Sequence, residues 1–126
     1  MLEDSKTNVK LILLGDSGVG KSSIIQRYSE DIFDENLGST YDSNFVEKKL
    51  RIKGHNINLE LWDTAGQEQY RSATQIFVKN SKIILLVYDV TNKKTFESLN
   101  YWYDFIKKEL GPKIIIGLIG NKTDLI

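Results

Sequence analysis

Eight consecutive residues, Gly15-Asp-Ser-Gly-Val-Gly-Lys21-Ser22, constrain this chain more than any other feature. They fit the pattern G-x-x-x-x-G-K-[ST] and follow directly on a short apolar run, Val9-Lys-Leu-Ile-Leu-Leu14. A loop of this kind works only where a strand ends and a helix begins. Its glycines let the main chain curl closely around oxygen atoms, in dihedrals closed to other residues. The amides then point inward as an anion-binding nest, and the helix start adds partial positive charge. The candidate phosphate contacts are Asp16, Ser17, Gly18, Val19, Gly20, Lys21, Ser22 and Ser23. Lys21 would reach the β- and γ-phosphates, and the Ser22 hydroxyl would bind Mg²⁺. The plainer alternative is a glycine-rich turn with a solvent-exposed lysine. The motif by itself leaves the base open, because ATP and GTP proteins share it.

The rest of the chain supplies a matching frame. Ile83–Tyr88 and Ile114–Ile119 are two more nearly continuous apolar runs. Runs rich in β-branched residues and bounded by turn residues suit strands buried on both faces, as in parallel sheets. Ile57, Leu59 and Leu61 instead alternate with polar residues, as do Leu50 and Ile52. These predict half-exposed strands joined through Lys53-Gly54-His55-Asn56 as an antiparallel hairpin. Helical spacing appears over Ser22–Ser29 and, less regularly, Glu68–Asn80. It also runs over Lys94–Leu110, with Phe96, Leu99, Trp102, Tyr103, Ile106 and Leu110 on one face and a stop at Gly111-Pro112. Strands and helices that alternate predict an α/β domain, a mostly parallel sheet with helices on both sides.

Composition narrows the function classes. With 126 residues the length suits one domain, 1–126. Lys plus Arg and Asp plus Glu each total 17, so the balanced charge offers no support for nonspecific nucleic-acid binding or a polybasic membrane arm. There is no cysteine, which excludes disulfides, Cys-ligated zinc and catalytic thiols within these residues. Met1–Lys10 lacks the pattern of a signal peptide, and no apolar run is long enough to span a bilayer.

A second motif is Leu61-Trp62-Asp63-Thr64-Ala65-Gly66-Gln67-Glu68. Asp63 ends an alternating strand, where carboxylates that hold Mg²⁺ through a bound water stand in P-loop NTPases. Gly66 offers a main-chain amide suited to sensing a γ-phosphate. Gln67 carries a donor and an acceptor on one amide and can orient an attacking water. A strand-ending turn is the alternative for this stretch taken singly. Between the motifs, the polar segment Asp31–Asn44 contains Thr40, a candidate second hydroxyl ligand for Mg²⁺ or else an ordinary loop threonine.

The third motif is Asn121-Lys122-Thr123-Asp124, after the last apolar run. A carboxylate accepts two hydrogen bonds from adjacent donors. Guanine presents N1–H and N2–H₂ side by side, whereas adenine presents an acceptor at N1, so Asp124 would select guanine. The Lys122 stem would cover one face of the base. Alone the four residues read equally as a polar turn; their order after the other two motifs gives them weight.

With these motifs in place the chain resembles a Ras-superfamily small GTPase, and within it the Rab branch, over about residues 8 to 126. The resemblance implies a Ras-like P-loop fold whose mostly parallel sheet has one antiparallel strand. It implies bound GTP or GDP with Mg²⁺ held by Ser22, Thr40 and Asp63. Asn121, Lys122 and Asp124 would bind the base, with Phe33 packed on the guanine. Lys21, Gly66 and Gln67 would serve hydrolysis. The Rab marks are Trp62, Tyr70-Arg71-Ser72 and Leu86-Val87-Tyr88-Asp89-Val90-Thr91. Phe45, Trp62 and Phe77 stand where Rabs carry an aromatic triad that effectors read, and three core aromatics are the competing account. Thr40-Tyr41-Asp42-Ser43-Asn44-Phe45 departs from the usual Rab sequence, where glycine and apolar residues are expected.

The resemblance further implies a slow, Mg²⁺-dependent GTPase switch in vesicle transport on the cytoplasmic side of the cell. Its exchange factor, GTPase-activating protein and effectors would read Thr40–Phe45, Trp62 and Gly66–Phe77. The family continues past Asp124 with another helix, a sixth strand, a final helix and prenylated cysteines. The expectation is therefore a domain lacking its last strand and last helices. Such a domain would be membrane-bound only through a missing lipidated tail and prone to associate through its exposed sheet edge. Two other functions fit the residues: a nucleotide-poor P-loop domain acting as a scaffold, and an ATP-dependent P-loop enzyme.

Overall fold

The computed structural model describes residues 7–30, 45–64 and 78–125. Strand β1, Thr7–Leu14, carries its apolar run at the centre of a five-stranded sheet ordered β2-β3-β1-β4-β5. The other strands are β2 (Phe45–Ile52), β3 (His55–Asp63), β4 (Ile83–Asp89) and β5 (Ile115–Asn121). Only β2 is antiparallel to its neighbour; β3, β1, β4 and β5 run parallel. This is the mixed, mostly parallel α/β sheet that the sequence predicts.

The unbroken apolar run of β1 is explained by its two covered faces. Ile12 and Leu14 pack with Ile84 and Leu86 against Leu99, Trp102 and Ile106. Leu11 and Leu13 pack on the opposite face with Leu61, Val87, Val19 and Ile25. The first cluster is closed by helix α3 (Leu99–Leu110) and the second by α1 (Lys21–Glu30). Successive side chains of a strand point to opposite faces, so a strand between two helical layers has no polar positions to spare. Ile12, Leu13, Leu14, Ile84 and Ile106 are fully buried. Each such side chain contributes about 1.5–3 kcal/mol relative to exposure.

The β2–β3 pair is more exposed, chiefly along β2. Its turn is shorter than the four residues expected, because Ile52 already pairs with His55 and only Lys53 and Gly54 lie between. Both have positive φ, 49° and 81°, as a tight two-residue hairpin turn requires.

The helix expected over Lys94–Leu110 is two helices, α2 (Lys93–Glu97) and α3, joined at Ser98. The Ser98 hydroxyl and amide both bond to the Lys94 carbonyl at 3.0 Å. Ser98 itself keeps helical dihedrals, φ −63° and ψ −20°, so the division is a single residue wide. The expected apolar face is corrected accordingly. Leu99, Trp102 and Ile106 are buried, but Phe96 and Tyr103 are 49% and 44% exposed. Tyr103 lies about 100° round the helix from Trp102. Phe96, on α2, meets Tyr88 edge to face at 4.9 Å. Phe105 packs against the core in their place. Gly111, with φ 80°, caps α3 where the sequence predicts its end. The helix expected over Glu68–Asn80 lies outside the described residues except for 78–80, of which Val78 is fully buried in the α3-side core. Among the described residues no helix is long and apolar enough to cross a membrane.

Candidate functional site

Strand β1 is hydrogen-bonded to β3 on one side and to β4 on the other. Such a point, where the connections leave in opposite directions, forms a crevice at the C-terminal ends of parallel strands. Four residues stand at or just before those ends: Leu14 on β1, Asp63 on β3, Asp89 on β4 and Asn121 on β5. The phosphate-loop motif leaves β1 there and opens α1, with Ile24 N–H closing on the Gly20 carbonyl at 3.0 Å. The strand–loop–helix context that the motif demands is present.

The glycines of the loop have distinct reasons. A Cβ on Gly15 would lie 2.2 Å from the Val87 carbonyl oxygen, so the loop root passes hard against β4. Gly20 has φ +103°, and a Cβ there would lie 2.2 Å from the Asn121 side-chain nitrogen. Gly18 has φ +83° with open space around it. Val19 is fully buried and anchors the loop's far side in the α1-side core, while Ser17 and Gly18 are exposed. Asp16, Ser22 and Ser23 are half-buried.

Lys21 is buried, and its Nζ donates to the carbonyls of Gly15 and Asp16, both at 2.9 Å. The ammonium is thus held across the loop. The Ser22 hydroxyl donates to Oδ2 of the buried Asp63. Next to it, the fully buried Thr64 hydroxyl donates to the Leu13 carbonyl at 3.2 Å and pins the end of β3 to β1. A serine hydroxyl facing a carboxylate is a hard-oxygen donor pair, which suits Mg²⁺. Among the described residues no group of three or more His, Cys, Asp or Glu gathers.

The third motif meets the first directly. Asn121 Nδ2 donates to the Val19 carbonyl at 2.9 Å, and Lys122 Nζ donates to the Gly18 carbonyl at 2.7 Å. The Lys122 ammonium also pairs with Asp89 Oδ2 at 3.2 Å. Lys122 has φ 69°, a left-handed conformation that costs a non-glycine residue about 1–2 kcal/mol and persists where surroundings over-determine it. Asp124 lies in the 3₁₀ turn Thr123–Leu125 with its side chain exposed. This turn follows the C-terminal end of β5, the end at which the phosphate loop also stands.

Asp89 did not stand out in the sequence as a site residue. Its carboxyl sits below the usual carboxylate range, chiefly because the Thr91 hydroxyl donates to it. Burial opposes that shift, and the Thr91 amide and the Lys122 ammonium reinforce it. The signal available was an aspartate ending an apolar strand with a threonine two positions on, a pattern that makes a local side-chain turn.

Phe33, Thr40, Gly66, Gln67 and Phe77 lie outside the described residues, as do 41–44 and 68–76 of the expected partner surface. Phe45 and Trp62 are described. They pair across β2 and β3 and stack at 4.5 Å, with Phe45 40% exposed. Phe45 is therefore a surface residue and not a core aromatic. The Lys10 ammonium lies 4.6 Å from the Trp62 ring, and burial lowers its pKa against the opposing pull of Glu60.

A model of the Ras family matches residues 10–126. The match begins within β1 and takes in the phosphate loop, the end of β3 and the Asn121–Asp124 motif, so it spans every part of the crevice just described. On a match over nearly the whole chain, joined to this geometry, the chain belongs to the Ras family of small GTPases, which act as GTP-binding switches.

Proposed function

We propose that the crevice seats a guanine nucleotide with its phosphates in Asp16–Ser23 and its base against Asn121, Lys122 and Asp124. The observation that carries this reading is the pair of hydrogen bonds from Asn121 to Val19 and from Lys122 to Gly18. They make the base motif and the phosphate motif one site. Asp124 accepts from two adjacent guanine donors. A site built on such a match rejects a base lacking them, because its polar atoms are left unpaired. Lys21 turns from its loop carbonyls to the phosphates. Ser22, Thr40 and Asp63 would hold Mg²⁺, which when bound neutralises phosphate charge. Gln67 orients the attacking water and Gly66 senses the γ-phosphate, so hydrolysis is slow without a partner. Phe33 would pack on the guanine.

The finer reading is a switch of the Rab branch that regulates vesicle transport from the cytoplasmic face of endomembranes. It is supported by the stacking of exposed Phe45 on half-buried Trp62 and by Leu86–Thr91. Exchange factors, activating proteins and effectors would engage Thr40–Phe45, Trp62 and Gly66–Phe77. Extraction of the purified protein with identification of its bound nucleotide, followed by competition with Mg²⁺ present, tests the site. GDP or GTP retained against excess ATP is expected; equal exchange by ATP overturns it. Flotation of the protein with endomembrane vesicles, loaded with GDP or a non-hydrolysable GTP analogue, tests the transport role. Absence from vesicles in both states overturns that role alone.

A further inference from the structure

We propose that Asp89 is the positioning residue for Lys122: it holds the ammonium against the phosphate loop and thereby slows release of the nucleotide. The inference rests on the guanine-nucleotide reading above and adds a residue to it.

Asp89 uses its two carboxylate oxygens for two different tasks. Oδ1 accepts from the Thr91 amide at 2.8 Å and from the Thr91 hydroxyl at 2.5 Å, which shapes its own turn. Oδ2 takes the Lys122 ammonium, which in turn donates to the Gly18 carbonyl. The main chain of Asp89 is fixed independently. Its amide donates to the buried Thr95 hydroxyl at 2.9 Å, and that hydroxyl lies 2.7 Å from the Asn92 carbonyl. Beyond it, Val90 N–H bonds to the Asn121 carbonyl at 3.1 Å, tying the ends of β4 and β5 together. The carboxylate therefore stands on a fixed corner, and the Lys122 ammonium it holds reaches an exposed loop. Gly18 there is left-handed, with open space where a side chain would stand.

A nucleotide that bridges the loop and the base motif leaves more easily when the two can part. Described contacts that close them are Asn121 to Val19 and Lys122 to Gly18. Lys122 holds its strained backbone with its ammonium aimed back over the loop, and the Asp89 charge is what keeps it there. A purely local role for Asp89, capping the Thr91 turn, needs an acceptor but no charge. Asparagine preserves that acceptor and removes the charge, so one substitution separates the two roles.

The test is a double-mutant cycle on the intact chain, read as the release rate of a fluorescent GDP analogue. Asp89→Asn should speed release about tenfold, the loss of one charge-assisted contact. Asp89→Glu should restore part of it. In a Lys122→Met background, Asp89→Asn should add less than about twofold. Equal acceleration in both backgrounds, or none in either, overturns the proposal. Hydrogen exchange of the peptide spanning Gly15–Lys21 in nucleotide-free protein reads the same tie without ligand, and should rise in both single variants and no further in the double. A wild type without preference for guanine nucleotides would sink the functional reading, while the exchange cycle would still decide the Asp89–Lys122 tie. Unchanged exchange in Asp89→Asn would remove the tie itself, whatever the nucleotide preference.

Discussion

The Ser22 hydroxyl donates a hydrogen bond to the Asp63 carboxylate, joining two residues 41 positions apart at the ends of different elements. Parallel pairing of β1 with β3 produces the encounter, because Leu13 and Asp63 stand side by side in register. If this pair is the seat of Mg²⁺, chelation should speed nucleotide release in the wild type. Ser22→Ala should release fast already and respond little to chelator. Equal chelator sensitivity in the two proteins would show that the metal sits elsewhere.

Replacing Gln67 by Leu should leave nucleotide affinity within about twofold and slow GTP hydrolysis by about 10²-fold, the usual penalty when the reacting water is no longer aligned. Single-turnover loss of labelled γ-phosphate measures this. An unchanged rate would remove Gln67 from the reaction.

Asp124→Asn should weaken GTP binding by about 10²-fold, since a charged acceptor facing two donors is lost. It should improve binding of xanthosine triphosphate, whose ring offers a carbonyl where guanine has an amino group. Titration of both nucleotides against both proteins decides it. Retained guanine affinity would mean that the exposed carboxylate of Asp124 does not read the base.

Gly20→Ala tests the packing of the two motifs. The added carbon would meet Asn121 at 2.2 Å, in a backbone conformation with φ +103° that side chains rarely adopt. A loss of about 1–3 kcal/mol is expected in denaturant unfolding, with faster nucleotide release. Gly18→Ala shares the backbone strain but meets no neighbour, so it should cost less. Equal losses would show that backbone strain alone, and not the contact with Asn121, matters.

Asp89 supplies a pH dependence whose sign follows from its lowered pKa. A carboxyl held lower in the folded chain than in the unfolded one adds stability above the unfolded value, about 3.9. That stability disappears as pH falls through the folded value. Acid unfolding followed between about pH 5 and pH 2 should therefore be less steep in Asp89→Asn than in the wild type. Identical acid limbs would show that the Thr91 and Lys122 contacts do not distinguish the two states.

Much of this was readable in the chain alone because the relevant signals are local. The apolar runs of β1 and β4 have no polar face and are covered on two sides, but the same expectation fails for β5, which lies at the sheet edge with Ile115 62% and Leu118 59% exposed. The phosphate loop names its own flanking elements. The division at Ser98 was not readable, because a serine within a good helical pattern is compatible with one continuous helix. The exposure of Phe96 and Tyr103 follows from their positions around the two helices and from which neighbours those helices meet. The role of Asp89 was hidden for a different cause. Its partner Lys122 follows the end of another strand, and the strands had to be ordered before the two charges could be seen to face one another.

The four innermost residues of β1, Leu11–Leu14, are sealed by helices on both sides. The ligand cradle thus hangs from the least yielding stretch of the scaffold, and a shift in its foundation cannot be absorbed by surface give. Trimming a methyl group there, far from any ligand atom, should register first as impaired ligand retention and only later as loss of structure.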